Sequence, residues 1–298
     1  MVGDAVASGV PWTDDTREVA ALDEARGAFI RYFHGSMKER NWLPWDDLPL
    51  EEIRERGHLL GDDTVTIIQG LLGLEDAAND IVADALDLVH RRHALRNLYL
   101  AWGIEELKHA ETWELLLVRA GRRTEGEVEA YRAAVTATRW RMWDDDPALA
   151  SPLGIVCHGL VREQAIYALY AALQGHIRRE YGLPPEPTAD ERERGLALGA
   201  VGAVQLVATD ELAHRETFLD LVRIYRRHMP QETLAVLLRA LTDFRHPGLL
   251  RLPDHVQLTE ALERTGLHTP QTWSTDVQDV ILHALEFADF RALEAAGK

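Results

Sequence analysis

Apolar residues recur at steps of three and four through six long segments of this chain. No run of four to eight β-branched residues bounded by turn signals interrupts them. That periodicity predicts an all-α protein with almost no sheet. The first segment, 15–40, carries Val19, Leu22, Ala25, Phe29 and Phe33 at helical spacing. Further helices are predicted over 64–92, 94–120, 125–143, 153–181 and 188–229. A proline- and tryptophan-bearing loop, Asn41 to Pro49, follows the first helix, and the clearest later break is Tyr181 to Pro187. Shorter helices close the chain, separated by His246-Pro247-Gly248, Leu252-Pro253 and Thr269-Pro270. Long segments joined by short connections predict a bundle, in one domain over 1–298 with 1–14 flexible.

With 298 residues the chain can bury about three quarters of its unfolded surface, so folding needs no disulfide or structural metal. Its one cysteine, Cys157, cannot close an internal disulfide or build a cysteine-based metal site. It is expected to pack as a small apolar residue in a reducing compartment. Forty-nine acidic residues against 32 Lys and Arg leave a net charge of −17, which argues against duplex DNA or an anionic membrane as partner. The first residues lack the basic and apolar regions of a secretory signal. The longest nearly apolar stretch, 195–209, contains Gln205 and is too short to span a bilayer. A cytoplasmic protein without a membrane span or a nucleic-acid partner is expected.

Two strings share a grammar: Glu105-Glu106-Leu107-Lys108-His109 and Asp210-Glu211-Leu212-Ala213-His214. Glu and His three apart on a helix lie side by side, roughly 5–6 Å between Cβ atoms, and can share one metal ion. The bare motif is weak, because 26 Glu and 13 His in 298 positions supply about one by chance and the chain holds three. The third, Glu55 to His58, lies in a charged, glycine-interrupted stretch and is expected on the solvated surface. The other two sit inside long, mostly apolar helices, where an unpartnered acid costs several kcal/mol. Glu75 and Glu163 each lie on the helix preceding one motif, and either alone reads as a surface or capping acid. The order Glu, Glu-x-x-His, Glu, Glu-x-x-His over four helices turns them into a set. Four carboxylates and two imidazoles suit two divalent ions, iron or manganese.

With these residues the chain resembles the soluble acyl-acyl carrier protein desaturases, from roughly 41 to 289. The loop Asn41 to Pro49 matches that family's Asn-Trp-x-Pro-x-x-x-Leu-Pro. Trp102 matches its tryptophan four residues before the first motif's glutamate, Asp210 to His214 matches its second motif, and Thr265 to Thr269 resembles its C-terminal region. The resemblance implies a ferritin-like four-helix bundle core with additional N- and C-terminal helices, assembled as a homodimer. It implies Glu75, Glu106, His109, Glu163, Glu211 and His214 as ligands of two iron ions, with manganese as a substitute. It also implies an O2-dependent desaturase of an acyl chain held as a thioester on acyl carrier protein, with electrons from a ferredoxin-type donor. Trp42, His109 and Asp210 match residues assigned to electron relay, and Trp102 stands beside them near the metals. Trp42 reads equally as a plug over the bundle end, and Asp210 as a carboxylate that orients a ligand histidine.

The chain departs from that pattern three residues after Glu163, where Ile166 replaces the family's threonine. Hydroxylation, or another oxygenation of a related carrier-bound or free substrate, is therefore the alternative outcome. Further readings are a ferroxidase or ferritin-like iron-handling protein, and a helical scaffold that has lost its metal. A radical-generating reductase subunit is weakened because Trp113 stands four residues beyond His109 and no tyrosine occurs between His109 and Glu129. The basic clusters Arg91-Arg92, Arg178-Arg179 and Arg226-Arg227-His228 are expected on solvated faces, any of which could dock an acidic carrier. Trp140 and Trp143 are expected in helix seams.

Overall fold

Helix α1, Thr16–Lys38, begins where the Asp15 carboxylate accepts the backbone N–H of Arg17 at 2.9 Å, satisfying one of the free first-turn donors. It opens a computed structural model that describes residues 15–89, 92–137, 139, 141, 150–194, 198–244 and 249–297. Segment 1–14, Trp140 and Trp143 lie outside those residues. The helices that follow are α2 (Pro44–Asp47), α3 (Leu50–Arg56), α4 (Asp62–Asp76), α5 (Ala78–Val89), α6 (His93–Arg119) and α7 (Glu125–Thr136). Then come α8 (Pro152–Glu180), α9 (Ala189–Arg194), α10 (Gly199–His228), α11 (Pro230–Asp243) and α12 (His255–Thr265). Short helical turns and a last helix, Phe290–Ala296, complete the chain. Among the described residues there is no strand, and no helix is long and apolar enough to cross a membrane.

Three local differences from the expected helices have physical causes. The segment expected at 64–92 is two helices, because the Asn79 side-chain amide donates to the Asp76 carbonyl at 3.2 Å and takes an acceptor from the helical ladder. The segment expected at 188–229 restarts at Gly199, whose φ of +54° suits glycine and whose N–H donates to Glu52 at 3.1 Å. Within the loop Asn41 to Pro49, Pro44 opens one helical turn, α2.

The apolar side chains form two clusters, one toward each end of the bundle. The first takes Leu95 to Trp102 of α6, Leu153 to Val161 of α8, Phe218 to Tyr225 of α10, and faces of α1 and α5. The second takes Ala110 to Leu117 of α6, Ile166 to Ile177 of α8, Ala200 to Val207 of α10, and the inner face of α4. Each leg of the bundle passes from one cluster to the other, and at that crossing it carries its buried polar residues. These are Glu75 and Asp76, then Glu105, Glu106 and His109, then Arg162 and Glu163, then Asp210, Glu211 and His214. Close helix approach depends on small residues such as Gly159, where an added Cβ would lie 2.5 Å from the Phe218 ring. Cys157 is fully buried among apolar neighbours, as expected.

Candidate metal centre

The polar layer brings together all six residues that the two motifs and their preceding helices single out. Ligand atoms of Glu75, Glu106, His109 and Glu211 lie within 4.8 Å of one another, and so do those of Glu106, Glu163, Glu211 and His214. The two sets share Glu106 and Glu211. His214 Nδ1 lies 3.2 Å from Glu106 Oε1, 3.3 Å from Glu163 Oε2 and 3.3 Å from Glu211 Oε2. His109 Nδ1 lies 3.1 Å from Glu211 Oε1. Glu211 therefore presents one oxygen to each imidazole.

A single ring N–H cannot serve three carboxylates, and several inward atoms stay without a hydrogen bond. Glu106 Oε1, Glu163 Oε2, Glu211 Oε1 and His109 Nδ1 are buried and unsatisfied. Leaving such a group bare costs about 1–3 kcal/mol, so this convergence is expensive in a purely structural core. Oxygen and imidazole donors in two overlapping groups fit two divalent ions of the iron or manganese kind. Glu55 and His58 are both exposed, as expected.

The second ring nitrogens are held crosswise. His214 Nε2 lies 3.0 Å from Glu105 Oε2, and His109 Nε2 lies 3.4 Å from Asp210 Oδ2. Each acid directly precedes the glutamate of one motif and holds the histidine of the other. Such outer carboxylates fix a ligand imidazole's tautomer and direction. Glu105 was not among the expected site residues, although it stands in its motif where Asp210 stands in the other. Tyr32 donates to Glu105, and Ser36 donates to it at 2.7 Å. Asp210 accepts Trp42 Nε1 at 2.9 Å and Lys108 Nζ at 3.0 Å, while Arg40 Nε lies 3.3 Å away.

Trp42 is buried and stacks on His109 with 6.3 Å between ring centroids and 13° between planes, and the Lys108 ammonium lies over the indole. Ring, carboxylate and histidine thus form one continuous path from the loop to the centre. Trp102 is buried beside His214 at 6.3 Å. Ile166 is buried in the second apolar cluster and offers no hydroxyl.

Two further residues were not anticipated. Arg162, buried beside Glu163, reaches three of the four carboxylates. Tyr170, two helical turns beyond Glu163, donates to Glu75. Among the basic clusters, Arg178 is not on a solvated face: it is buried and pairs with Glu191 at 2.7 Å. Arg226 donates to the Leu285 carbonyl, Arg227 and His228 pair with Glu24, and Arg91 lies outside the described residues.

Electrostatics follow from burial set against these contacts. Burial raises the Glu75 carboxyl well above its usual range, and Glu106 and Glu211 nearby add to it. Burial likewise lifts Glu163 to about 8 although Arg162 opposes it. For Glu106 burial is outweighed by Arg162 and His214, which hold it at about 2. Burial would lower His109, but the hydrogen bond to Asp210 and the charges of Glu211 and Glu106 close by carry it up to about 10. Glu105, Glu106 and Glu163 likewise raise His214 against burial, so the carboxylates favour the charged form of each imidazole, and a bound cation would displace that proton.

The sequence matches no family model and no curated protein. Solved structures share its architecture. An R2-like ligand-binding oxidase from Sulfolobus acidocaldarius is 17% identical with a TM-score of 0.55, the match covering 100% of this chain and 97% of that one. A variant R2-like ligand-binding oxidase with anaerobically reconstituted Mn/Fe cofactor is 12% identical with a TM-score of 0.53, covering 92% and 93%. Another, with aerobically reconstituted Mn/Fe cofactor, is 13% identical with a TM-score of 0.50, covering 92% of each. At these identities the likeness concerns the backbone alone. The chain has an all-α, ferritin-like helical bundle fold.

Proposed function

We propose that this chain is a two-metal, O2-dependent oxidase whose ligands are Glu75, Glu106, His109, Glu163, Glu211 and His214. The observation that carries the reading is the pair of four-donor groups sharing Glu106 and Glu211, with unsatisfied atoms facing inward. Two iron ions are the proposed cofactor, with manganese able to replace iron. The Mn/Fe cofactors of the structural neighbours agree with that choice. When bound, the metal pair supplies the redox chemistry with O2 that no side chain can perform. The chain's own residues orient and insulate it. Glu105 and Asp210 aim both Nδ1 atoms inward, the two apolar clusters exclude water on either side, and Trp42 with Asp210 forms the route for electrons.

The substrate we propose is an acyl chain held as a thioester on acyl carrier protein, desaturated with electrons from a ferredoxin-type donor. The loop Asn41 to Pro49 and the Asp210 motif support it. Ile166, buried one turn beyond Glu163, favours a second outcome, hydroxylation, because no hydroxyl stands there to deliver a proton. The test is anaerobic loading with Fe(II), then reductant, O2 and a panel of carrier-bound acyl chains, with products read by mass. Loss of two hydrogens supports desaturation, and gain of one oxygen supports hydroxylation. Failure of the protein to hold two ions per chain overturns the reading.

We also propose that the chain works as one domain and pairs with a second copy through α1 and α6. Leu100, Ile104 and Leu107 share the outward face of α6, with Ile104 at 65% exposure, and Ile30, Phe33 and Met37 line α1 beside it. A patch of this kind marks an interface. Ile104→Glu is expected to shift the protein from dimer to monomer in sedimentation velocity, with its helical content unchanged.

A further inference from the structure

Arg162 stands inside the candidate metal centre, and nothing in the proposed oxidation uses it. Its Nη1 donates to Glu163 Oε1 at 2.6 Å, its Nη2 donates to Glu106 Oε2 at 2.8 Å, and Glu75 Oε2 lies 3.4 Å from Nη2. The guanidinium carbon lies 4.9 Å from the centroid of the Trp102 ring, and the side chain is buried. These contacts are selective. Arg162 holds one oxygen each of Glu106 and Glu163 and leaves Glu106 Oε1 and Glu163 Oε2, the unsatisfied ones, facing His214.

Charge decides what such a residue does. Outside the ligand layer, the acids Glu105 and Asp210 are matched by the cations Arg40 and Lys108. Inside it, four carboxylates and two divalent ions would cancel with neutral imidazoles. Arg162 adds one fixed positive charge to that balance, in a dry core where charges interact strongly. It attracts carboxylates when no metal is bound and repels cations when they enter.

We propose that Arg162 is a built-in counter-cation of this centre. It pre-orders Glu75, Glu106 and Glu163 in the metal-free protein and in return weakens metal binding and favours the reduced metal pair. The proposal rests on the two-metal reading above and makes Arg162 a positioning residue.

The test compares wild type, Arg162→Gln and Arg162→Lys by anaerobic titration with Fe(II) against a chelator. Melting of the metal-free proteins and the midpoint potential of the di-iron proteins are read alongside. Arg162→Gln is expected to bind Fe(II) at least about tenfold more tightly, to melt at lower temperature without metal, and to show a lower midpoint potential. Arg162→Lys, which keeps the charge, is expected to retain the wild-type potential. If metal-free Arg162→Gln does not fold, the protein refolded with Fe(II) gives the affinity by chelator competition, and the potential is read on the same sample.

Two ions bound by Arg162→Gln with unchanged or weaker affinity, or a potential that does not fall, overturns the proposal while the two-metal reading stands. A wild type that cannot hold two ions overturns both.

Discussion

Glu211→Ala is expected to hold fewer than two metal ions per chain and to lose metal-dependent O2 consumption, with the bundle still helical. Glu211 belongs to both donor groups, and its two oxygens face His109 and His214 separately. Removing it takes a donor from both positions at once. Glu75→Ala, by contrast, removes a donor from one group only, and is expected to keep the ion held by Glu106, Glu163, Glu211 and His214. Metal analysis after desalting, paired with circular dichroism, separates the two variants. Two ions per chain in Glu211→Ala would remove Glu211 from the ligand set.

The paired variants Asp210→Asn and Glu105→Gln are expected to act crosswise. Each keeps the side chain's shape and removes the negative charge that orients a ligand imidazole, a change that typically costs 10–100-fold in metal affinity or activity. Asp210→Asn should disturb the ion beside His109, and Glu105→Gln the ion beside His214, each on the opposite motif from the mutated acid. Mössbauer spectra of the iron-loaded variants should show one perturbed iron environment in each case. Disturbance on the same motif, or on neither, would reject the crossed arrangement.

Much of this architecture was legible in the residues. The spacing of apolar positions placed the long helices, and the ordered Glu and Glu-x-x-His residues placed six side chains that the fold does bring to one layer. What escaped reading was pairing between helices. Glu105 looked like a neighbour of Glu106, because nothing in a linear string says that it reaches a histidine more than a hundred positions away. Arg162 stood in an apolar run next to Glu163, and only packing against Trp102 shows that its guanidinium turns inward. Arg178 reads as a surface cation for the same reason, since its partner Glu191 arrives only on α9, beyond the break at Tyr181 to Pro187. Helix ends were missed where a side chain competed for the backbone, as Asn79 does at Asp76.

The layered core has a kinetic consequence. The proposed ligands on α6, α8 and α10 sit at mid-helix, with an apolar cluster above and another below. Fraying of helix ends, the cheapest local opening, leaves those ligands in place. An ion held by those side chains is released by parting of an apolar cluster rather than by fraying of α6, α8 or α10. How long a metal stays is thus governed by the opening rate of the bundle, and a weakly bound ion can remain trapped far longer than its equilibrium affinity suggests.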